Sequence, residues 1–126
     1  MRMAIVGALV GVLSLTALPA GANHARNSYC SESGDVCAGA RKEDGKRILQ
    51  LATAANYFDT YKVCVTTPDG AKTCRNGTMR DGDGDGIFVG RMTWAKQFPN
   101  GGPGEYYIRW TSGDSFRSPR LGFHKN

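Results

Sequence analysis

Four cysteines, Cys30, Cys37, Cys64 and Cys74, constrain this chain most, because each neighbouring pair brackets a turn. Four cysteines admit three pairings, and here turn chemistry chooses among them. Between Cys64 and Cys74 lies Thr67-Pro68-Asp69-Gly70-Ala71. Proline presets its own φ and glycine accepts the left-handed region, so Pro-Asp-Gly is a strong turn signal. Pairing Thr67 with Ala71 across a three-residue loop sets Cys64 directly opposite Cys74. A two-residue turn at Ser33-Gly34 does the same for Cys30 and Cys37. Directly opposed residues have Cβ atoms about 4.5–5.5 Å apart, near disulfide reach. The expected bridges are therefore Cys30–Cys37 and Cys64–Cys74, each contributing roughly 2.5–3 kcal/mol by closing a small loop. Neither pair has the C-x-x-C spacing of a redox or metal motif.

Period-two alternation runs through the chain. Tyr57, Tyr61, Val63 and Val65 fall on one face of a strand, and Lys62, Cys64 and Thr66 on the other. Beyond the Pro-Asp-Gly turn, Lys72, Cys74 and Asn76 continue that polar face, so the second bridge is expected on the solvent side. Leu49 and Leu51 mark an earlier strand within Arg47 to Ala54. Phe88, Met92, Trp94 and Phe98 share a face of a later one, Tyr106, Ile108 and Trp110 of the next, and Leu121 with Phe123 mark the last. Turn signals separate these runs at Glu43-Asp44-Gly45, Asp81 to Gly86, Pro99 to Gly104 and Ser112-Gly113-Asp114. No helical stripe is evident. The reading is an all-β chain, a single antiparallel β-sandwich of about seven strands, with a small β-barrel as the alternative.

The start of the chain reads as an address. Met1-Arg2-Met3 is basic, Ala4 to Leu18 is apolar and uncharged, and Pro19 precedes Ala20-Gly21-Ala22. A charged start, a short apolar run and a small-x-small end make a secretory signal peptide. The run is shorter than the roughly 20 residues a membrane span needs. Residues 1–22 are thus expected to be removed, leaving residues 23–126 as one domain, secreted to the cell exterior or envelope and monomeric. An oxidising destination gives the cysteines their role.

Near the C-terminus stands Pro103-Gly104-Glu105-Tyr106-Tyr107-Ile108-Arg109-Trp110, followed by a polar turn and a final apolar strand. This Pro-Gly-x-Tyr-x-x-x-Trp pattern resembles the penultimate strand of small exported immunoglobulin-like or fibronectin-III-like sandwich domains of bacteria. The resemblance covers about twenty residues and implies the fold that the alternation implies. Exported copper-binding sandwiches end similarly, but their histidines have no counterpart here, so copper is not implied.

Asp81-Gly82-Asp83-Gly84-Asp85-Gly86 opens like a calcium loop, with Asp81, Asp83 and Asp85 at positions 1, 3 and 5 and glycine at 6. Position 12 is Met92, not glutamate, and position 9 is Val89, so the stretch reads equally as a glycine-rich connection. Catalysis finds little material. His24 and His124 stand at opposite ends, all four cysteines are committed to bridges, and Glu32, Glu43 and Glu105 flank turns. Trp94, Tyr106 and Trp110 alternate with the apolar set and are expected in the core.

The net charge is +5, and the leader takes Arg2 from it. Basic residues gather as Arg41, Lys42, Lys46 and Arg47, and as Arg117, Arg120 and Lys125. Such clusters attract anionic polymers or blunt sheet edges. No nucleic-acid motif is present, so a nucleic-acid partner is not expected. The expected function is that of a secreted, non-catalytic binding or structural module. Its partner would be an extracellular protein or anionic polymer, met by the loops Glu43 to Lys46, Asp81 to Gly86 and Pro99 to Gly104 at one end. The alternatives are a secreted enzyme inhibitor or small hydrolase, the bridged Cys30–Cys37 hairpin offering an inhibitor's tip, and a weak calcium-binding β-domain. If Asp81, Asp83 and Asp85 hold Ca²⁺, millimolar calcium raises the melting temperature and a chelator reverses it; an unchanged melting curve removes that assignment.

Overall fold

The structure, a computed structural model, describes residues 26–126; the leader and His24 lie outside them. Nine strands and one helical turn follow in order: β1 (Ser28–Cys30), β2 (Val36–Glu43), β3 (Lys46–Thr53), β4 (Thr60–Thr66), β5 (Lys72–Thr78), β6 (Phe88–Thr93), α1 (Trp94–Gln97), β7 (Gly104–Ser112), β8 (Phe116–Arg117) and β9 (Leu121–Lys125). The chain is all-β, with two antiparallel sheets. One has the order β1-β2-β3-β6; in the other, β5-β4-β7 continues to β8 and β9, which share the far side of β7. About seven strands were expected. The shortest of the nine, β1 and β8, are three and two residues long.

Both expected bridges form. Cys64 pairs with Cys74 and Cys30 with Cys37 across their ladders, and both pairs are disulfide-bonded. At the second hairpin Thr67 N–H donates to Ala71 O at 2.9 Å and Gly70 sits at φ 92°, the three-residue loop predicted. The first hairpin keeps the expected register but not the expected turn. Gly34 N–H donates to Ser31 O and Ser31 N–H to Val36 O, so residues 32–35 form a four-residue loop.

A single core fills the space between the sheets. Ala38, Ala40, Leu49, Leu51 and Met92 face Tyr61, Val63, Val65, Tyr106, Ile108, Trp110, Leu121 and Phe123. Val63, Val65, Tyr106 and Trp110 are fully buried. Two members of the expected pattern fall elsewhere. Tyr57 precedes β4 and is 49% exposed, its hydroxyl donating to Asp35 Oδ2 at 2.9 Å. Trp94 and Phe98 belong to α1 and its C-cap, not to a strand. Residues four apart in a helix share a face, so this turn brings both rings together, centroids 5.3 Å apart and tilted by 32°, within the core cluster. Trp94 there meets Tyr106 and Phe123 edge-on, at 5.3 and 5.1 Å.

The sheets are stitched along both sides. Beyond β5 the chain crosses to the first sheet, where Arg80 and Val89 exchange two backbone hydrogen bonds of 2.8 and 3.0 Å. The Tyr61 ring fills the adjoining space. A Cβ on Gly77 of β5 or Gly90 of β6 would lie 2.3 Å from it. On the other side Gly122 N–H of β9 donates to Arg26 O, and Ala40 N–H of β2 to Asn27 O. The molecule thus stands between the sandwich and the barrel that the alternation allowed.

Where β8 gives way to β9, Ser118 replaces the missing partner of β7. Its N–H donates to Trp110 O at 2.9 Å, and its Oγ accepts from Trp110 N–H at 3.0 Å and donates to Pro119 O. Ser118 is 2% exposed. Ser118→Ala leaves a buried N–H unpaired and is expected to cost about 1–3 kcal/mol, read as a lower urea midpoint with unchanged strand content.

Candidate functional site

The loops expected to gather at one end do not. Phe88 pairs with Thr53 and Thr93 with Ile48, so the loop 81–86 leaves one end of the first sheet. The Glu43–Lys46 turn and the segment after β6 leave the other. Alternation cannot report this, because it fixes faces and not the direction in which a strand is met.

The Asp81–Gly86 loop holds itself together. Asp81 accepts through Oδ1 from Asp85 N–H at 3.1 Å and through Oδ2 from Gly86 N–H at 3.0 Å, and Asp85 Oδ1 accepts from Ile87 N–H at 3.0 Å. Gly84 and Gly86 take φ of 69° and 85°. Asp83 is exposed. Among the described residues no three His, Cys, Asp or Glu side chains come together as a metal-holding group. His124, on β9, stands opposite Glu105 of β7, with Nδ1 3.5 Å from Oε1.

The outer faces of the two sheets carry charge in opposite ways. On the first, Arg41 and Arg91 converge on Glu43 and Gln50. Arg41 donates to Glu43 Oε2 at 2.7 Å and to Gln50 Oε1 at 3.1 Å; Arg91 donates to Glu43 Oε1 at 2.6 Å and to the same amide oxygen at 2.8 Å. The hydrogen bond from Arg91, then that from Arg41, hold the Glu43 carboxyl below the usual carboxylate range. Nearby, the half-buried Arg47 guanidinium lies 3.7 Å above the Phe123 ring, and burial lowers its pKa. Arg41 and Arg47, half of the basic group read around the Glu43–Lys46 turn, are thus engaged within the fold.

The outer face of the second sheet gathers cations around the Cys64–Cys74 bridge, and its glutamate, Glu105 of β7, stands at one margin opposite His124. Register places Lys62 of β4, Thr111 of β7 and Arg117 of β8 in one row, Cys74, Cys64 and Arg109 in the next, and Lys72, Thr66 and Tyr107 in a third. Arg120 lies over the Tyr107 ring at 4.1 Å and adds a cation to the third row. Arg109 therefore sits at the centre of four corner charges, Lys62, Arg117, Lys72 and Arg120. Alternate residues along a strand are about 6.7 Å apart and adjacent strands about 4.8 Å, so the pattern spans roughly 13 Å along the strands. A shallow groove of about 530 Å³ runs over it, and none of its lining residues is acidic. Among the described residues none of the five cations is ion-paired with a carboxylate. The Arg109 Nε is buried with no hydrogen-bond partner. An array of this kind can hold an extended anion by charge and by guanidinium hydrogen bonds.

Sequence reading found Arg117 and Arg120, and alternation put Lys62 and Lys72 on the bridge's face. It missed Arg109 as the centre, because only the β4–β7 pairing brings residue 109 beside residue 64. Tyr106 and Trp110, fully buried, and Trp94, 8% exposed, all belong to the core cluster.

The Glu43 carboxylate is favoured in the folded state. Its contribution is complete above the ordinary glutamate pKa and is lost as pH falls through the lowered folded value. Glu43→Gln is therefore expected to flatten the acid limb of stability against pH, measured by urea unfolding at stepped pH.

Two disulfides point to a compartment other than the reducing cytoplasm. No helix among the described residues is long and apolar enough to cross a membrane. Compared with protein-family models, with curated proteins and with solved structures, the chain matches none.

Proposed function

We propose that this chain is a secreted, non-catalytic binding module of immunoglobulin-like build that holds an anionic extracellular polymer against the outer face of its second sheet. The observation that carries the reading is the centred array of Arg109 with Lys62, Lys72, Arg117 and Arg120, unopposed by any acidic lining residue. Clefts lined by one sign of charge raise the local concentration of the opposite sign. A polymer is favoured over a lipid surface because the exposed large hydrophobics, Tyr57 and Ile87, are not among the groove's lining residues. It is favoured over a nucleic acid because the one aromatic ring lining the groove, Tyr107, already carries the Arg120 guanidinium.

Two features support the immunoglobulin-like build. Taking β2, β3, β4, β5, β6, β7 and β9 as strands A, B, C, C′, E, F and G puts A–B–E in one sheet and C′–C–F–G in the other. These pairings are those of such sandwiches, without strand D. Tyr106, near the start of β7, donates its hydroxyl to Gly102 O at 2.5 Å, four residues upstream. That is the hydrogen bond of the tyrosine corner in those domains. The covalent ties differ, lying within hairpins rather than between sheets.

Binding to immobilised anionic polysaccharide is the test. Lys62→Ala and Arg109→Ala are each expected to weaken it about fivefold at low salt, since an exposed charge pair contributes up to about 1 kcal/mol. Arg41→Ala, on the other sheet and bound to Glu43 and Gln50, should leave it unchanged, and added salt should abolish the difference. Equal weakening by all three substitutions overturns the assignment to this face.

A further inference from the structure

We infer that the Cys64–Cys74 bridge is an exchange-competent disulfide, selective for small thiols that carry negative charge. This goes beyond polymer binding and does not depend on it. The bridge lies on the outer face of the second sheet, and Cys64 lines the groove. Arg109 is the register partner of Cys64 on β7. Lys62 and Lys72 are the next same-face residues on β4 and β5, each two positions from a cysteine. The bridge is thus flanked by cations on both strands and across the ladder. The spacing has no C-x-x-C character; the reactivity arises from the surroundings.

Cations act on exchange at two points. They concentrate an anionic nucleophile at the face, and they stabilise the thiolate that leaves. A thiolate RS⁻ attacks Cys74 Sγ. The S–S bond breaks, and its electron pair departs on Cys64 Sγ, between Arg109 and Lys62. A second RS⁻ attacks the R-side sulfur of the mixed disulfide and expels the Cys74 thiolate. Two RS⁻ are consumed; one RSSR and two cysteine thiolates are formed. The bridge gains two electrons, the small thiols lose two, and protons exchange with solvent.

Cys30–Cys37 is an internal control with the opposite setting. Its hairpin loop carries Glu32 and Asp35, and Cys30 is the more exposed partner. A groove over this bridge is lined by Cys30, Cys37 and one cation, Arg41, which is already bound to Glu43 and Gln50. Access alone would favour the first bridge, and charge favours the second.

The experiment exposes the folded chain at low ionic strength and fixed pH to mercaptoacetate, mercaptoethanol or cysteamine. Alkylation quenches the reaction and peptide mapping reads each bridge. Mercaptoacetate is expected to open Cys64–Cys74 about tenfold faster than Cys30–Cys37, a modest instance of charge-steered encounter. Cysteamine should reverse that preference, and salt should draw both ratios toward one. Lys62→Gln combined with Lys72→Gln should lower the mercaptoacetate ratio while leaving the mercaptoethanol rate at Cys30–Cys37 unchanged. A ratio indifferent to the charge of the thiol overturns the proposal, as does simultaneous opening of both bridges. Polysaccharide binding is not involved, so failure here leaves the polymer reading intact.

Discussion

Parity of strand pairing governs this molecule. Side chains alternate along a strand, so a one-residue slip exchanges the two faces of everything that follows. The Cys64–Cys74 pair excludes that slip at the hairpin of β4 and β5, because only direct opposition on one face lets the sulfurs meet. Val63 and Val65 then point inward without exposure. With β4 in place, a slipped β5 would turn Lys72 toward the core instead, and a buried unpaired ammonium costs several kcal/mol. Covalent chemistry and hydrophobic patterning specify the same register, which is the consistency across levels expected of a foldable sequence.

From that parity follows the contrast between the two outer faces. Each carries arginines, but their neighbours differ. On the first sheet a single glutamate offsets one of two guanidinium charges, and a single glutamine accepts from both, so the arginines are held within the fold. On the second, Thr66, Thr111 and a disulfide separate the cations, and a threonine can neutralise nothing. Net charge is a property of the whole chain; the field that a partner meets depends on which carboxylates lie beside which cations.

Much of this was legible in order along the chain. The Pro-Asp-Gly turn located Cys64 opposite Cys74, and the apolar positions of β4, β7 and β9 are those the alternation marked. What was hidden falls into two kinds. Trp94 and Phe98 fit a period of two, but two residues four apart also fit a helical turn, and only packing against Tyr106 and Phe123 of the other sheet decides between them. Arg109 became the centre of the cationic face through pairing of strands 45 residues apart, Cys64 with Arg109, a relation that no local pattern carries. The same distance in sequence concealed that the loop 81–86 and the turn 43–46 leave opposite ends. The Asp-Gly repeat shows a third limit, for carboxylates spaced to hold a cation are equally spaced to accept from their own loop's backbone.

Along one seam the separation of the two sheets is set by the thickness of a phenol ring. Tyr61 occupies the room that side chains on Gly77 and Gly90 would need, and those glycines belong to different sheets. Shrinking the ring first would leave a void against bare backbone; enlarging either glycine first would drive a methyl into it. Neither order of change passes through a well-packed intermediate. These three positions are therefore bound to drift together or not at all, and in any lineage descended from this sequence they should be among the last to diverge.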